Sequence, residues 1–387
     1  MTGADKDFPR GASAIVGAAT FGLGRKPGFQ ASDMAAAASI EALAQAGLQL
    51  SDVDGLFFCH STDTFGGLSF AQYLGIQPKI IENSRVGGSA FQSYVELAAV
   101  LLHAGYIDTA LVAYGSNQAT STGKLATTIH PMTYEAPYRP MHPITAYALA
   151  ASRHMHEYGT TKEQLGAVAV AARSWAAHNP EAERRDPLTL DDYLGSRMVS
   201  DPLSVLDCCL VSDGGGAIVM TRSDRARDLV PNPIYVLGAA SETSHRDIAW
   251  MPDLTRTAVA KAGQRAFAAA GLKPSEIDVV ELYDAFTINT ILFLEDLGFC
   301  SKGEGGAFVE DGRIAFGGSL PVNTNGGGLS CAHPGMYGLF TIIESVRQLR
   351  GDAAARQVDG ARTAIAQGNG GVLSAEAVVL LGTAEIL

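Results

Sequence analysis

Two short segments carry side chains able to move protons or to stabilise a developing anion. The first is Asn325-Gly326-Gly327-Gly328-Leu329-Ser330-Cys331-Ala332-His333-Pro334-Gly335-Met336-Tyr337-Gly338. Its glycines let the backbone take positive φ and approach a ligand closely. The proline after His333 holds that residue extended, so its ring projects from a loop instead of packing along a helix. Read alone, a His-Pro after glycines is as often a plain turn. The second segment, Glu281-Leu282-Tyr283-Asp284-Ala285-Phe286-Thr287, brings another tyrosine. An imidazole can donate to an oxyanion. A phenol, with its pKa near ~10, suits alkoxide and enolate chemistry when a donor beside it stabilises the phenolate. The competing reading of each tyrosine is an amphipathic wall residue with a satisfied hydroxyl.

Composition narrows what these groups can act on. The chain has 387 residues, 47% apolar and 18% charged, which describes a packed globule with more than one core. A net charge of −12 argues against nucleic acid or an anionic membrane as the main partner. It leaves room for an anionic coenzyme A ester, which needs only a local basic rim. Met1–Gly11 is polar and charged and does not read as a secretory signal, and no run of residues approaches a membrane span. Cys59, Cys208, Cys209, Cys300 and Cys331 form no CxxC pair and read as buried or free thiols in a reducing cytoplasm. His154 and His156, two apart, would point to different sides of a helix, so no metal is expected.

The elements that must position the two segments are written twice. Ala46-Gly47-Leu48-Gln49-Leu50-Ser51-Asp52-Val53-Asp54 recurs 224 residues later as Ala270-Gly271-Leu272-Lys273-Pro274-Ser275-Glu276-Ile277-Asp278. Each copy follows an alanine-rich helical stretch (34–45 and 257–269) and precedes a short apolar strand (55–59 and 279–282). This is an internal duplication of α/β halves. Residues 89–104 have helical apolar spacing and end at Gly105, and 109–114 read as a buried parallel strand. The second half offers a comparable helix at 339–349, stopped by Gly351, and a last strand at 375–382. Three regions are expected: a first α/β half over 1–115, an insertion over 116–232 richer in Tyr, His, Pro, Arg and Met, and a second half over 233–387.

The Asn325–Gly338 run resembles the NGGG…GHPxGxxG segment of the thiolase superfamily, whose members make or break the Cα–Cβ bond of an acyl-CoA. Arg153-His154-Met155-His156-Glu157-Tyr158-Gly159-Thr160-Thr161-Lys162-Glu163-Gln164-Leu165, Asp201-Pro202-Leu203, Asp207-Cys208 and Ser212-Asp213-Gly214-Gly215 are similar to the sterol-carrier-protein-X type. The resemblance covers essentially the whole chain and implies the thiolase fold, two duplicated α/β halves in five αβαβα layers with an inserted loop domain. A thiolase needs a nucleophilic cysteine at the start of a buried helix. Here that position falls at Gly88 or Ser89, in Val86-Gly87-Gly88-Ser89-Ala90-Phe91, with no cysteine in reach. Ser89 reads as an N-cap; as a nucleophile it would need a dedicated base. The second catalytic cysteine falls at Gln367 in Gln367-Gly368-Asn369-Gly370-Gly371, and glutamine cannot shuttle a proton. Cys331 matches neither position and reads as packing. The oxyanion side is kept, with His333 matching the family histidine and tyrosines entering both neighbouring segments.

An enolate-stabilising site without thiols suits retro-aldol cleavage of a β-hydroxyacyl-CoA, which needs no covalent intermediate, no second CoA and no further cofactor. The cysteine-free Gly-Gly-Ser helix start, ELYDAF and HPGMYG together resemble the thiolase-fold aldolases of steroid side-chain degradation. That resemblance implies a dimer working with a small OB-fold/zinc-ribbon protein linked to a hydratase. From the chemistry of these residues, His333 is expected to donate to the thioester oxygen, with Tyr283 and Tyr337 sharing the proton transfers. Gly88, Ser89, Asp284, Gln367, Gly370 and Gly371 are expected to contact substrate. Two other readings stay open: an atypical thiolase using Ser89 or a displaced thiol, and a non-catalytic acyl-CoA or lipid carrier.

Overall fold

A computed structural model describes residues 8–124 and 134–387; residues 125–133, within the expected insertion, and 1–7 lie outside it. The strands in chain order are β1 (Ser13–Gly24), β2 (Gly55–Phe58), β3 (Ile80–Glu82), β4 (Thr109–Ser116), β5 (Met198–Ser200), β6 (Leu203–Ser204), β7 (Asp213–Arg222), β8 (Ile234–Thr243), β9 (Val279–Glu281), β10 (Thr363–Gly370) and β11 (Ala375–Gly382). Nine of them form one sheet in the order β3-β2-β4-β7-β1-β8-β11-β10-β9, while β5 and β6 pair apart.

The sheet is two copies of one pattern joined at β1 and β8 through the pairs Ala14↔Tyr235 and Ile15↔Ile234. In the first copy β2 lies parallel to β4, and β4, β7 and β1 then alternate antiparallel. In the second, β9 lies parallel to β10, and β10, β11 and β8 alternate likewise. Even edge strand β3 has a counterpart, reduced to a single parallel bridge between Val280 and Val322.

The duplicated sequence performs the same task in each half. Gly47 and Gly271 end their helices in the left-handed region, at φ +64° and +65°. The closing aspartates then tie down the start of the neighbouring strand. Asp54 accepts from the backbone N–H groups of Asp108 and Thr109, and Asp278 from those of Arg362 and Thr363. The alanine-rich helices Ala31–Ala44 and Val259–Ala270 lie almost on the backbone of the sheet. A Cβ at Gly17 of β1 would sit 1.9 Å from the Ala42 carbonyl oxygen, and one at Gly238 of β8 2.4 Å from that of Ala266. Larger side chains would hold these layers apart.

Helices Ala90–His103 and Gly338–Arg350 touch strands of both half-sheets as well as each other, which makes them the middle of five layers. Gly338–Arg350 is buried at every position except Arg347 and Arg350. Its polar members must therefore be paired inside the protein: Glu344 receives Arg356 at 2.8 Å and Thr324 at 2.9 Å. The region between β4 and β8 corrects the expected boundary of the insertion. β7 runs between β4 and β1, so the first half resumes at Asp213 and not after residue 232. The apolar run of 213–222 is shortened to Ala217–Met220 by Gly214, Gly215 and Gly216, which hides the strand. Among the described residues no helix is long and apolar enough to cross a membrane.

Candidate active site

Three rings meet where the two halves of the fold converge. β9 ends at Glu281 and the chain turns through Leu282–Phe286, held by hydrogen bonds from Leu282 N to Asn323 Oδ1 (2.7 Å), from Tyr283 N to Gln367 Oε1 (3.0 Å) and from Asn289 Nδ2 to Tyr283 O (3.2 Å). The turn presents the Tyr283 hydroxyl to three groups at 3.1 Å: it donates to the Gly335 carbonyl, accepts from the Tyr337 backbone N–H and faces His333 Nε2. Tyr337 stacks beside His333 with ring centroids 5.9 Å apart, and Tyr283 stands edge-on to both.

The glycine run folds around this group. Gly326 and Gly327 take φ +101° and +63°, which a side chain would disfavour, and the following turn carries the chain back toward His333. Asp284, fully buried, accepts from Gly328 N at 2.6 Å and so fastens the loop to the Tyr283 turn. A Cβ at Gly327 would fall 2.0 Å from Asp284 Oδ2.

The vacant nucleophile position has a physical explanation. A Cβ placed on Gly88 would lie 2.0 Å from Cε2 of Tyr283, 2.7 Å from Cζ and 2.8 Å from Oη. Tyr283 thus fills the volume that a side chain at Gly88, the expected nucleophile position, would need. Ser89, at the N-cap position, makes no side-chain capping bond, and its buried Oγ has no hydrogen-bond partner. No base activates it.

Burial sets the protonation states. Desolvation lowers His333 to about 4, so its imidazole is neutral at physiological pH, with Nδ1 lacking any partner. Desolvation pushes Tyr283 well above the ordinary phenol value, opposed by the Tyr337 N–H. Tyr337 is raised likewise, by burial first and then by the nearby carboxylate of Asp284. Burial raises Asp284 to about 7, against the hydrogen bonds from Gly328 and Leu329.

Tyr283, His333, Gly88 and Gly371 line a cavity of about 430 Å³, within the range of small-molecule sites. Other expected site residues stand behind its wall. Gln367 holds the Tyr283 backbone and donates to Glu376 Oε2 at 2.7 Å, and Asp284 serves the glycine loop. Gly370 is a close crossing, since its Cβ would meet the Val86 carbonyl oxygen at 2.0 Å. Ser89 packs at that same crossing. These four position the site and do not face the cavity. The hydroxyl of Tyr337 is turned away too, donating to Asn325 Oδ1 at 3.0 Å beside a second, very small cavity. His333 differs from expectation as well, because its Nε2 faces Tyr283 and not open space.

The cavity also recruits residues that the sequence did not single out. Tyr147 comes from helix Ile144–Tyr158 of the insertion and Asn369 from β10, and Asn369 Nδ2 donates to Tyr147 Oη at 2.8 Å. Arg85 and the exposed Arg246 stand at the rim. Cys209 lines the wall, its thiol raised well above the usual range by burial and then by Cys208. A tyrosine in an alanine-rich helix gives no signal of its own; only the folding of the insertion over the β10 end brings it here.

Comparison with known proteins fits this architecture. The family model described as thiolase C-terminal domain-like matches residues 240–383. A protein of Thermomonospora curvata named steroid side-chain-cleaving aldolase is 35% identical over 378 residues, covering 93% of this chain and 96% of that one. A protein of Methanothermobacter thermautotrophicus named acetyl-CoA acetyltransferase is equally 35% identical, over 94% of this chain and 98% of its own length. Among solved structures, the Ltp2-ChsH2(DUF35) aldolase matches with a TM-score of 0.87 and 34% identity, covering 97% of this chain and 98% of that one. With relatives of this identity along nearly its whole length, the chain belongs to the thiolase superfamily.

Proposed function

We propose that this chain is a carbon–carbon lyase that cleaves a β-hydroxyacyl-CoA by retro-aldol chemistry. Two relatives and a solved structure carry aldolase or lyase names, alongside one relative named acetyl-CoA acetyltransferase. The observation that carries the reading is the Tyr283 ring filling the side-chain volume at Gly88, which leaves a phenol where acyl transfer needs a thiolate.

The Tyr283–His333 pair supplies the proton relay. Once the Tyr283 hydroxyl rotates from the Gly335 carbonyl to face His333, its proton passes 3.1 Å to the neutral Nε2 as the β-hydroxyl gives its own to Oη. No free phenolate is required, which matters for a phenol so strongly disfavoured from ionising. The electrons of the O–H bond form the carbonyl of the departing ketone or aldehyde. Those of the Cα–Cβ bond enter the thioester as an enolate, whose Cα then takes a proton. The number of protons is unchanged overall. Because His333 Nε2 is engaged with Tyr283, we assign it to the relay instead of the thioester oxygen. We retain Tyr337 as the second proton-transfer group, its ring stacked beside His333 and its hydroxyl on Asn325. Arg85 and Arg246 form the basic rim for the CoA phosphates.

By analogy with a relative named steroid side-chain-cleaving aldolase, the substrate is a branched, steroid-like β-hydroxyacyl-CoA whose body leaves as a ketone or aldehyde, with a short acyl-CoA such as propionyl-CoA or acetyl-CoA as the other product. We further propose a cytoplasmic homodimer acting with a DUF35-type OB-fold/zinc-ribbon protein, by analogy with the Ltp2-ChsH2(DUF35) aldolase, and linked to a hydratase that forms the β-hydroxy substrate. The division into two halves and a covering insertion is proposed as its domain organisation. An atypical thiolase is disfavoured by the unpartnered Ser89 Oγ and by the protonated Cys209.

Mass spectrometry of paired incubations tests the reading. A branched β-hydroxyacyl-CoA should yield a carbonyl compound and a short acyl-CoA without free CoA. Cleavage only of the matching β-ketoacyl-CoA with free CoA would restore the thiolase, and binding without cleavage of either would favour the carrier.

A further inference from the structure

The relay leaves one requirement unmet. An enolate developing on the thioester oxygen needs a hydrogen-bond donor in a water-poor site, and His333 Nε2 and the Tyr283 hydroxyl are engaged with each other. We infer that Tyr147, positioned by Asn369, is a catalytic residue that donates to the thioester oxygen; this rests on the lyase reading above.

Four observations converge on it. Tyr147 is 2% exposed and lines the same cavity as Tyr283 and His333. Its ring is fixed by stacking on Phe286, in the Tyr283 segment, with centroids 4.3 Å apart. Its oxygen already accepts from Asn369 Nδ2 at 2.8 Å, so Asn369 orients the hydroxyl. The hydroxyl proton, by contrast, has only the Gly371 carbonyl at 3.5 Å, the far limit of a hydrogen bond. A buried donor so poorly satisfied is an expensive arrangement unless a ligand completes it. Asn369 Oδ1, buried without a partner, marks the same wall as unfinished. Two other polar side chains of the wall offer no equivalent: His245 is committed through both ring nitrogens, and Ser374 donates to Gly370. Burial raises the Tyr147 pKa, which keeps the proton in place to be donated.

The oxyanion function has a readout independent of the acyl group cleaved. An enzyme that stabilises the thioester enolate should exchange the Cα hydrogens of its short acyl-CoA product with solvent. Wild-type protein, with any partner that co-purifies, is incubated with propionyl-CoA in D₂O and followed by mass spectrometry, alongside cleavage of the β-hydroxyacyl-CoA. Tyr147→Phe keeps the ring stack and should lower exchange and cleavage in parallel by about 10²-fold, with little change in propionyl-CoA affinity by calorimetry. Asn369→Ala should give a smaller loss, and the double variant should be no worse than Tyr147→Phe. Normal exchange in Tyr147→Phe, with cleavage alone impaired, would mean that Tyr147 only shapes the acyl pocket and would overturn the inference. Loss of propionyl-CoA binding would overturn it likewise. Wild-type protein that neither exchanges nor cleaves would instead bring down the lyase reading itself.

Discussion

Gly88→Ala is the most direct test of the arrangement. One methyl group would lie 2.0 Å from Tyr283 Cε2, whereas non-bonded carbons rest at about 3.5–4.0 Å. The ring or the helix start must therefore yield by about 1.5 Å. The Tyr283 hydroxyl is held at 3.1 Å by His333 Nε2 and by Tyr337 N, so a displacement of that size takes at least one contact beyond hydrogen-bond range. Overpacking of this kind costs about 1–3 kcal/mol, and misplacing a catalytic group by about 1 Å can cost about 10²-fold in rate. Backbone strain does not confuse the reading, because Gly88 is not in the left-handed region, unlike Gly87 at φ +100°. Chemical denaturation and turnover would be measured for Gly88→Ala, Tyr283→Ala and the double variant. In the Tyr283→Ala background the added methyl has room, so its cost should largely vanish, giving a coupling of at least about 1 kcal/mol. If Gly88→Ala melts and turns over like the wild type, the ring does not fill that volume.

Three other outcomes follow from the same geometry. Tyr283→Phe keeps the ring but loses Oη and should reduce kcat by about 10²-fold or more with CoA-ester binding retained; Tyr337→Phe should do the same, and wild-type rates in both would overturn the assignment. Because the relay uses neutral His333, held at about 4 by burial, kcat/KM should stay flat as pH falls from 8 to about 5 and drop only near 4. An acid limb at pH 6–7 would show that His333 titrates as an ordinary imidazole. Asp278→Ala strips the acceptor from two backbone N–H groups at the start of β10 and should cost about 1–3 kcal/mol by urea denaturation. An unchanged midpoint would mean that the duplicated aspartates are not the ties described.

The duplicated halves are legible in the amino-acid order alone, because the repeat encodes local events, a glycine helix stop and an acidic turn; that its aspartate ties down the neighbouring strand shows only in the fold. So is the chemistry that is absent, since the missing cysteines can be read directly from Gly88 and Gln367. His333 stands out because the glycines and the X-Pro bond around it mark an extended loop, and Tyr283 because of the family motif that its segment resembles. Which side chains face the cavity is a property of the folded chain. Asp284 and Tyr283 are neighbours in sequence, yet one binds the glycine loop and the other faces the cavity. The Tyr337 ring joins the cluster while its hydroxyl turns to Asn325. Tyr147 enters from an insertion that carries no motif of its own, and Gly214–Gly216 conceal a strand that only its partners on both sides define. Facing is set by packing between segments hundreds of residues apart, and neither spacing nor composition along one chain encodes it.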